Sequence, residues 1–285
     1  MSKAIDCPLC NSPEHRLVRV DCGRSIVRCS ACQFLYVNPQ PTDDELERLY
    51  GQEYYGEGST QVQGSLSHRL PVFQYGIEAV SKLVKPGKLL DDGCGTGEFL
   101  DLAQKFGWDA MGIELSENAG SFAVKKGLKV EIGTLTGKNY PAERFDVVTV
   151  WDVLEHLSAP RKEVEAIWRV LRPGGIVVIR VPNTQFQLMK ALVREKLLKR
   201  KPDSLQADLH LNHFTPRTLR RLLESCGFEV IKNETGVSEN AVYRPDVPLW
   251  LKKSYCDFAK IISFLTSMQI GPTMVQYGRK VTNAK

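Results

Sequence analysis

The 285-residue sequence contains no long hydrophobic run and little excess of charge of either sign. Its longest stretch without charged residues, Ile261 to Gly278, includes Ser, Thr, Gln and a Gly-Pro break, and falls short of a membrane-spanning helix. No apolar run of a secretory signal follows the first ten residues, which favours a cytoplasmic location. The net charge of +5, from 38 basic and 33 acidic residues, is too small to indicate a nucleic-acid or membrane surface by itself.

The sequence also lacks internal repeats and biased composition. Hydrophobic residues make up 42% and charged residues 25%, which excludes a disordered chain, a collagen-like fibre or a coiled-coil rod. From about residue 72 onward, β-like and helical patterns alternate, so we expect an α/β fold with a mainly parallel sheet and helices on both faces. The pattern predicts a metal-binding module, a linker with a loop (51–67) that could cover the active site, and a main domain with insertions at 185–212 and 236–272; the three parts span residues 1–41, 42–74 and 75–285.

Cysteine is concentrated at the N-terminus, where five of the eight cysteines occupy the first 32 residues. Four of them form two C-x-x-C pairs separated by 18 residues: Cys7, Cys10, Cys29 and Cys32. Each pair can place two thiolates on one turn, and a tetrahedral zinc ion takes four such ligands. The spacing therefore predicts a closed structural Zn²⁺ site, with Cys22 and His15 left outside it.

Three alternating glycines follow a buried strand over Lys88–Asp92, in the run Asp91-Asp92-Gly93-Cys94-Gly95-Thr96-Gly97. Glycines permit a tight turn and a close approach of the backbone to a ligand. Glu114 stands 21 residues after Gly93, at the end of the next strand, where a carboxylate can accept both hydroxyls of a ribose. These features predict an adenosine-type ligand. The G-x-G-x-G spacing differs from the dinucleotide fingerprint, which disfavours a dehydrogenase.

At these residues the sequence resembles the class I S-adenosylmethionine-dependent methyltransferases, over roughly residues 75 to 281. The resemblance implies a Rossmann-like sheet of seven strands in the order 3-2-1-4-5-7-6, with the last strand antiparallel, and S-adenosylmethionine as cofactor. It implies cofactor contacts from Asp91, Gly93, Cys94, Gly95, Gly97, Glu114, Leu115 and Trp151. Many relatives carry an acid after the third strand, where this chain has Gly133-Thr134-Leu135-Thr136, so adenine contacts there are expected from the backbone only.

Three histidines near predicted strand ends are candidate general bases: His156, His210 and His213. Histidine suits this role because its pKa lies near neutrality. The segment around His210 resembles zinc-containing sugar C-methyltransferases, which also begin with a cysteine-rich module and have a catalytic histidine at the matching position. Their upstream Tyr and adjacent Glu are replaced here by Ala207 and Leu209, so their chemistry does not transfer directly.

The fourth predicted strand ends in Trp151-Asp152-Val153-Leu154 and lacks the Pro-Pro-aromatic motif of enzymes that methylate amino groups of DNA bases. A hydroxyl or carbon of a small molecule is therefore the expected acceptor, a class that includes glycosylated and carrier-linked metabolites. One alternative is an RNA methyltransferase that binds phosphates through the cysteine module and the basic run 189–201. A non-catalytic cofactor-binding protein and peripheral membrane contact through apolar residues between Trp250 and Leu265 also stay open, as does the oligomeric state.

Overall fold

The computed structural model describes residues 2–42, 45–46, 69–197, 199, 204–236 and 271–281. Its strands are β1 (His15–Asp21), β2 (Arg24–Cys29), β3 (Leu35–Val37), β4 (Lys88–Asp92), β5 (Asp109–Glu114), β6 (Val130–Ile132), β7 (Phe145–Trp151), β8 (Leu171–Pro182), β9 (Asn212–His213), β10 (Phe228–Gly236) and β11 (Thr273–Lys280). Its longer helices are α1 (Leu70–Leu83), α2 (Glu98–Lys105), α3 (Glu117–Lys125), α4 (Pro160–Val170), α5 (Thr184–Lys196) and α6 (Pro216–Ser225).

The larger sheet has seven strands in the order β6-β5-β4-β7-β8-β11-β10. Numbered along the chain, this is the order 3-2-1-4-5-7-6 that the resemblance implied. The strands β6, β5, β4, β7 and β8 are parallel, whereas β11 runs antiparallel to both of its neighbours. The predicted fold class is therefore confirmed.

Each strand of this sheet sends alternate residues to opposite faces, because side chains along a strand alternate in direction. Leu89, Val147 and Val178 share a core with apolar residues of α1 and α2. Leu90 and Val148 point the other way, into a core that also holds residues of α4 and α6. Both faces are thus covered by helices, as the continuous apolar runs of the strands predict.

A smaller antiparallel sheet is built from the N-terminal residues, in the order β1-β2-β3-β9. Its fourth strand, β9, comes from the far part of the chain and pairs Leu35 with His213. The rings of Phe34 and Phe214 lie 5.0 Å apart at this junction. Apolar residues of this N-terminal segment, among them Phe34 and Tyr36, pack in one of the cores of the larger sheet.

The sequence-based division into three parts remains a prediction. At the first predicted boundary, Lys3 and Gln40 exchange backbone hydrogen bonds of 2.8 and 2.9 Å, which close the N-terminal sheet. Just after this boundary, Thr42 and Glu45 form a capping box, with reciprocal bonds of 2.9 and 3.3 Å. Within the described residues, none of the helices combines the length and apolar character needed to cross a bilayer.

Some predictions concern residues outside the described ranges. These are the proposed cover at 51–67, most of the insertion 236–272 with its apolar residues, and part of the basic run 189–201. The insertion 185–212 is described in two pieces. The first is helix α5, which ends at Lys196, and the second is a turn that leads from Ser204 into β9.

Candidate active site

The glycine loop joins β4 to α2 at the carboxyl edge of the larger sheet. Gly93, Gly95 and Gly97 have φ angles of 79°, 54° and 85°, in the left-handed region that favours glycine. A Cβ atom at Gly93 would lie 2.3 Å from Cγ2 of Val153. The loop can therefore keep its course only if this position has no side chain, and its backbone is left accessible to a ligand.

Glu114 ends β5 and turns its carboxylate to this loop. Its Oε2 accepts the N–H of Gly95 and its Oε1 accepts the N–H of Ser116, both at 2.8 Å. Burial raises the pKa of this carboxyl. Each carboxylate oxygen has a second lone pair, so the group can still accept two further hydrogen bonds. This arrangement fits the ribose of an adenosine-type cofactor.

Asp91 lies at the end of β4, beneath the loop. It is 1% exposed, and its Oδ1 accepts a hydrogen bond of 2.6 Å from the hydroxyl of Thr149 on β7. Burial raises its pKa to about 7. A carboxyl so placed can hold the charged amino group of a cofactor, and its charge will change with pH near neutrality.

The remaining predicted cofactor residues occupy three different environments. Cys94 is buried, and burial raises the pKa of its thiol. Leu115 is 48% exposed and follows Glu114 in the chain. The Trp151 indole lies in the core against the rings of Phe73 and Phe99, at 5.8 and 5.1 Å. Cys94 thus belongs to the loop and Leu115 follows Glu114, whereas the Trp151 ring packs against α1 and α2.

Two of the three candidate histidines meet at the same sheet edge. The ring centroids of His156 and His210 are 4.9 Å apart, and Nδ1 of His156 lies 3.2 Å from the carbonyl oxygen of Leu209. A carboxylate oxygen of Glu155 lies within 4.8 Å of a ring nitrogen of each. Because a carbonyl only accepts, Nδ1 of His156 carries the proton.

Burial lowers the pKa of both rings, that of His156 to about 4. Both rings are therefore neutral at pH 7 and able to accept a proton. His213 lies apart from this pair, because it sits in β9 between the two sheets. It is 2% exposed, and burial lowers its pKa to about 3.

Sequence reasoning missed a charged network beside the histidine pair. Asp152 follows β7 and accepts hydrogen bonds from Arg69, at 2.6 Å, and from Arg180. Arg180 is 2% exposed, near the carboxyl end of β8. An arginine within the apolar run 176–181 was the available signal, because a buried charge is normally paired. Asp152 has a φ of 56°, a strained conformation held by these partners.

The four predicted metal ligands come together in the smaller sheet. The Sγ atoms of Cys7, Cys10, Cys29 and Cys32 all lie within 4.8 Å of one another. The Sγ atoms of Cys7 and Cys32 are 3.5 Å apart, and those of Cys10 and Cys29 are 3.6 Å apart. Tetrahedral zinc with bonds of about 2.3 Å requires sulfur atoms about 3.8 Å apart. The donor set and its spacing therefore fit Zn²⁺.

The fold and the cofactor loop are those of the class I S-adenosylmethionine-dependent methyltransferases. The profile of the methyltransferase domain family matches residues 66–233, and the chain belongs to that family. The structure is similar to a SAM dependent methyltransferase from Archaeoglobus fulgidus, with a TM-score of 0.53 and 19% identity over 84% of this chain and all of that one. A methyltransferase from Mesorhizobium loti gives a TM-score of 0.52 and 20% identity over 73% and 97%.

Two curated relatives match this chain over part of its length and over part of their own. Phosphoethanolamine N-methyltransferase 1 of Zea mays is 32% identical over 47% of this chain, which spans only 26% of that protein. Ubiquinone biosynthesis O-methyltransferase of Thiobacillus denitrificans is 31% identical over 55% of this chain and 72% of its own length. These matches support the family, and their acceptors differ.

Proposed function

We propose that the protein transfers a methyl group from S-adenosylmethionine to a hydroxyl or carbon of a small molecule. The proposal rests on one juxtaposition at the carboxyl edge of the sheet. Glu114 is hydrogen-bonded to the glycine loop there. Val153, which lies two residues before Glu155 in the segment that carries His156, packs against the same loop. A cofactor seated on the loop would thus face His156 and His210.

Each group in this site has a proposed role. Asp91 would bind the amino group of the cofactor, Glu114 its ribose, and the glycine loop would hold the remaining chain. The cofactor supplies a methyl group on a sulfonium, whose displacement depends on alignment with the acceptor. His210 or His156 would take the acceptor's proton, a step that typically contributes 10²–10⁴-fold to the rate. His213 is less suited, because it is buried in β9.

The relatives give no support to the RNA alternative, since the two curated ones described above are named for phosphoethanolamine and for ubiquinone biosynthesis. The basic run does form a helix as far as Lys196. Its apolar residues Met189 and Leu192 are exposed along with the basic ones. We assign a structural Zn²⁺ to the four cysteines, because four thiolates leave a tetrahedral ion no open position for chemistry.

The acceptor can be sought directly in an extract of small metabolites. Wild-type protein with S-adenosylmethionine should give a product 14 daltons heavier than its precursor, and 17 daltons heavier when the donor methyl group is labelled as CD₃, detected by mass spectrometry. His210→Gln should slow its formation by about 10²-fold or more if that ring is the base. His15→Gln provides the matched control. Label transferred only to added RNA would contradict the proposed acceptor class.

Binding of S-adenosylmethionine should strengthen with rising pH below neutrality. The pKa of Asp91 is about 7 in the ligand-free protein, and the ammonium group of the cofactor requires its ionised form. Calorimetry should show affinity rising by about tenfold between pH 5.5 and 7, where an α-amino group keeps its charge. The folded state holds the proton of the Asp91 carboxyl more tightly than the unfolded state does. The contribution of Asp91 to the free energy of unfolding therefore falls as pH rises from about 4 to 7.

The Asp91→Asn variant serves as the control for this titration. It should bind the cofactor more weakly than the wild type and with a flat pH profile over the same range. An unchanged profile would assign the pH dependence to another group, such as Glu114, whose pKa is also raised by burial.

A further inference from the structure

The segment from Ser204 to His213 lies between the two sheets and carries His210. At its far end, β9 pairs with β3 of the smaller sheet. The side-chain amide of Asn212 donates to the carbonyl oxygens of Leu154 and Leu157, at 3.1 and 2.6 Å. Asn212 therefore ties this end to the loop that carries His156.

The near end is held by one carboxylate of the smaller sheet. Oδ2 of Asp21 accepts the hydroxyl of Ser204 at 3.0 Å, the N–H of Leu205 at 2.8 Å and the N–H of Ala207 at 3.3 Å. Oδ1 accepts a hydrogen bond of 3.1 Å from Arg19. Asp21 is 6% exposed, so these donors depend on it rather than on water.

The turn fixed by Asp21 leads directly to the histidine pair. Gln206 lies within the anchored turn, and its carbonyl oxygen accepts the N–H groups of Leu209 and His210 at 2.9 and 2.7 Å. The carbonyl of Leu209 in turn faces Nδ1 of His156. The path from Asp21 to both rings thus alternates hydrogen bonds with short stretches of backbone.

We propose that Asp21 is a positioning residue of the acceptor site, through which the cysteine-containing sheet sets the place of the His210 ring. Its relevance to catalysis rests on the function proposed above. Asp21 does not touch the rings, and it acts through the turn. A carboxylate has about four lone-pair sites, so the Asp21 side chain can accept three donors of the turn in addition to Arg19.

The test compares histidine ring resonances in protein labelled with ¹³C-histidine, using the full chain. In the wild type, the rings of His156 and His210 should show a mutual nuclear Overhauser effect, because they are in contact. Asp21→Ala should abolish this effect and shift both ring resonances, while the resonance of His15 in the smaller sheet stays unchanged. Affinity for S-adenosylmethionine should remain within about twofold. Methyl transfer at saturating cofactor should slow at least tenfold.

Two further variants complete the test. Asp6→Ala removes an exposed carboxylate from the segment that precedes β1 and should leave all these signals unchanged. Asp21→Asn keeps a neutral acceptor and should give an intermediate effect, which tests the proposal even if Asp21→Ala fails to fold. Unchanged ring signals in a folded Asp21 variant would overturn the positioning role. Absence of cofactor binding by the wild type would instead refute the proposed function and leave the ring result intact.

Discussion

Gly93→Ala should lose detectable binding of S-adenosylmethionine, with a dissociation constant raised at least 100-fold. The new Cβ would lie 2.3 Å from Cγ2 of Val153, a distance at which one of the two must move. The φ of 79° adds a conformational cost of about 1–2 kcal/mol for a residue with a side chain. A displaced loop would also lose the bond between Gly95 and Glu114. Calorimetry with the purified variant measures the effect.

Gly127→Ala is the matched control for this substitution. Gly127 has a φ of 83°, but a Cβ there would have no neighbour within 4 Å. The two variants therefore share the backbone cost and differ in the clash. Gly127→Ala should lose about 1 kcal/mol of stability and bind the cofactor as the wild type does. Equal binding by both variants would show that the loop is not the cofactor site.

Cys29→Ala should release the metal and unfold the smaller sheet. The wild type should contain one zinc per chain by elemental analysis, and the variant less than one tenth of that. Zinc binding supplies folding free energy in small metal-bound modules. We therefore expect the free energy of unfolding, measured in urea, to be at least about 3 kcal/mol lower for the variant than for the wild type. Because β9 pairs with β3, the loss should extend to the segment that carries His210.

Cys22→Ser separates loss of a ligand from loss of a cysteine. Cys22 is exposed at the turn between β1 and β2 and lies outside the four-cysteine cluster. The Cys22→Ser variant should keep the full zinc content and nearly the full stability of the wild type. Wild-type protein without zinc, or full zinc in Cys29→Ala, would remove the metal assignment.

The larger sheet could be predicted because its determinants are local. The strand β4, predicted over Lys88–Asp92, has the same bounds in the structure, and the next strand, β5, ends at Glu114 as expected. The glycine loop and Glu114 were also predictable, because strand order brings the carboxyl ends of neighbouring parallel strands together. The clustering of the four N-terminal cysteines followed from their spacing alone.

The contacts that complete the site could not be predicted, because they join residues far apart in the chain. Asp21 and Leu205 are separated by 184 residues, and nothing in either local pattern indicates the other. The two residues of β9 are too few to give a periodic signal. Arg69 and Asp152, 83 residues apart, show the same difficulty, since each could equally be a solvated surface charge.

The two-residue strand β9 has a practical consequence for protein engineering. A chimera that took its first 41 residues from another methyltransferase would receive a sheet without its fourth strand and without the partners of Asp21. Grafting would therefore succeed only if residues 204–213 travelled with the N-terminal portion. The N-terminal segment and residues 204–213 therefore form one structural unit that is discontinuous in sequence. Recombination between relatives should keep these two segments from the same parent.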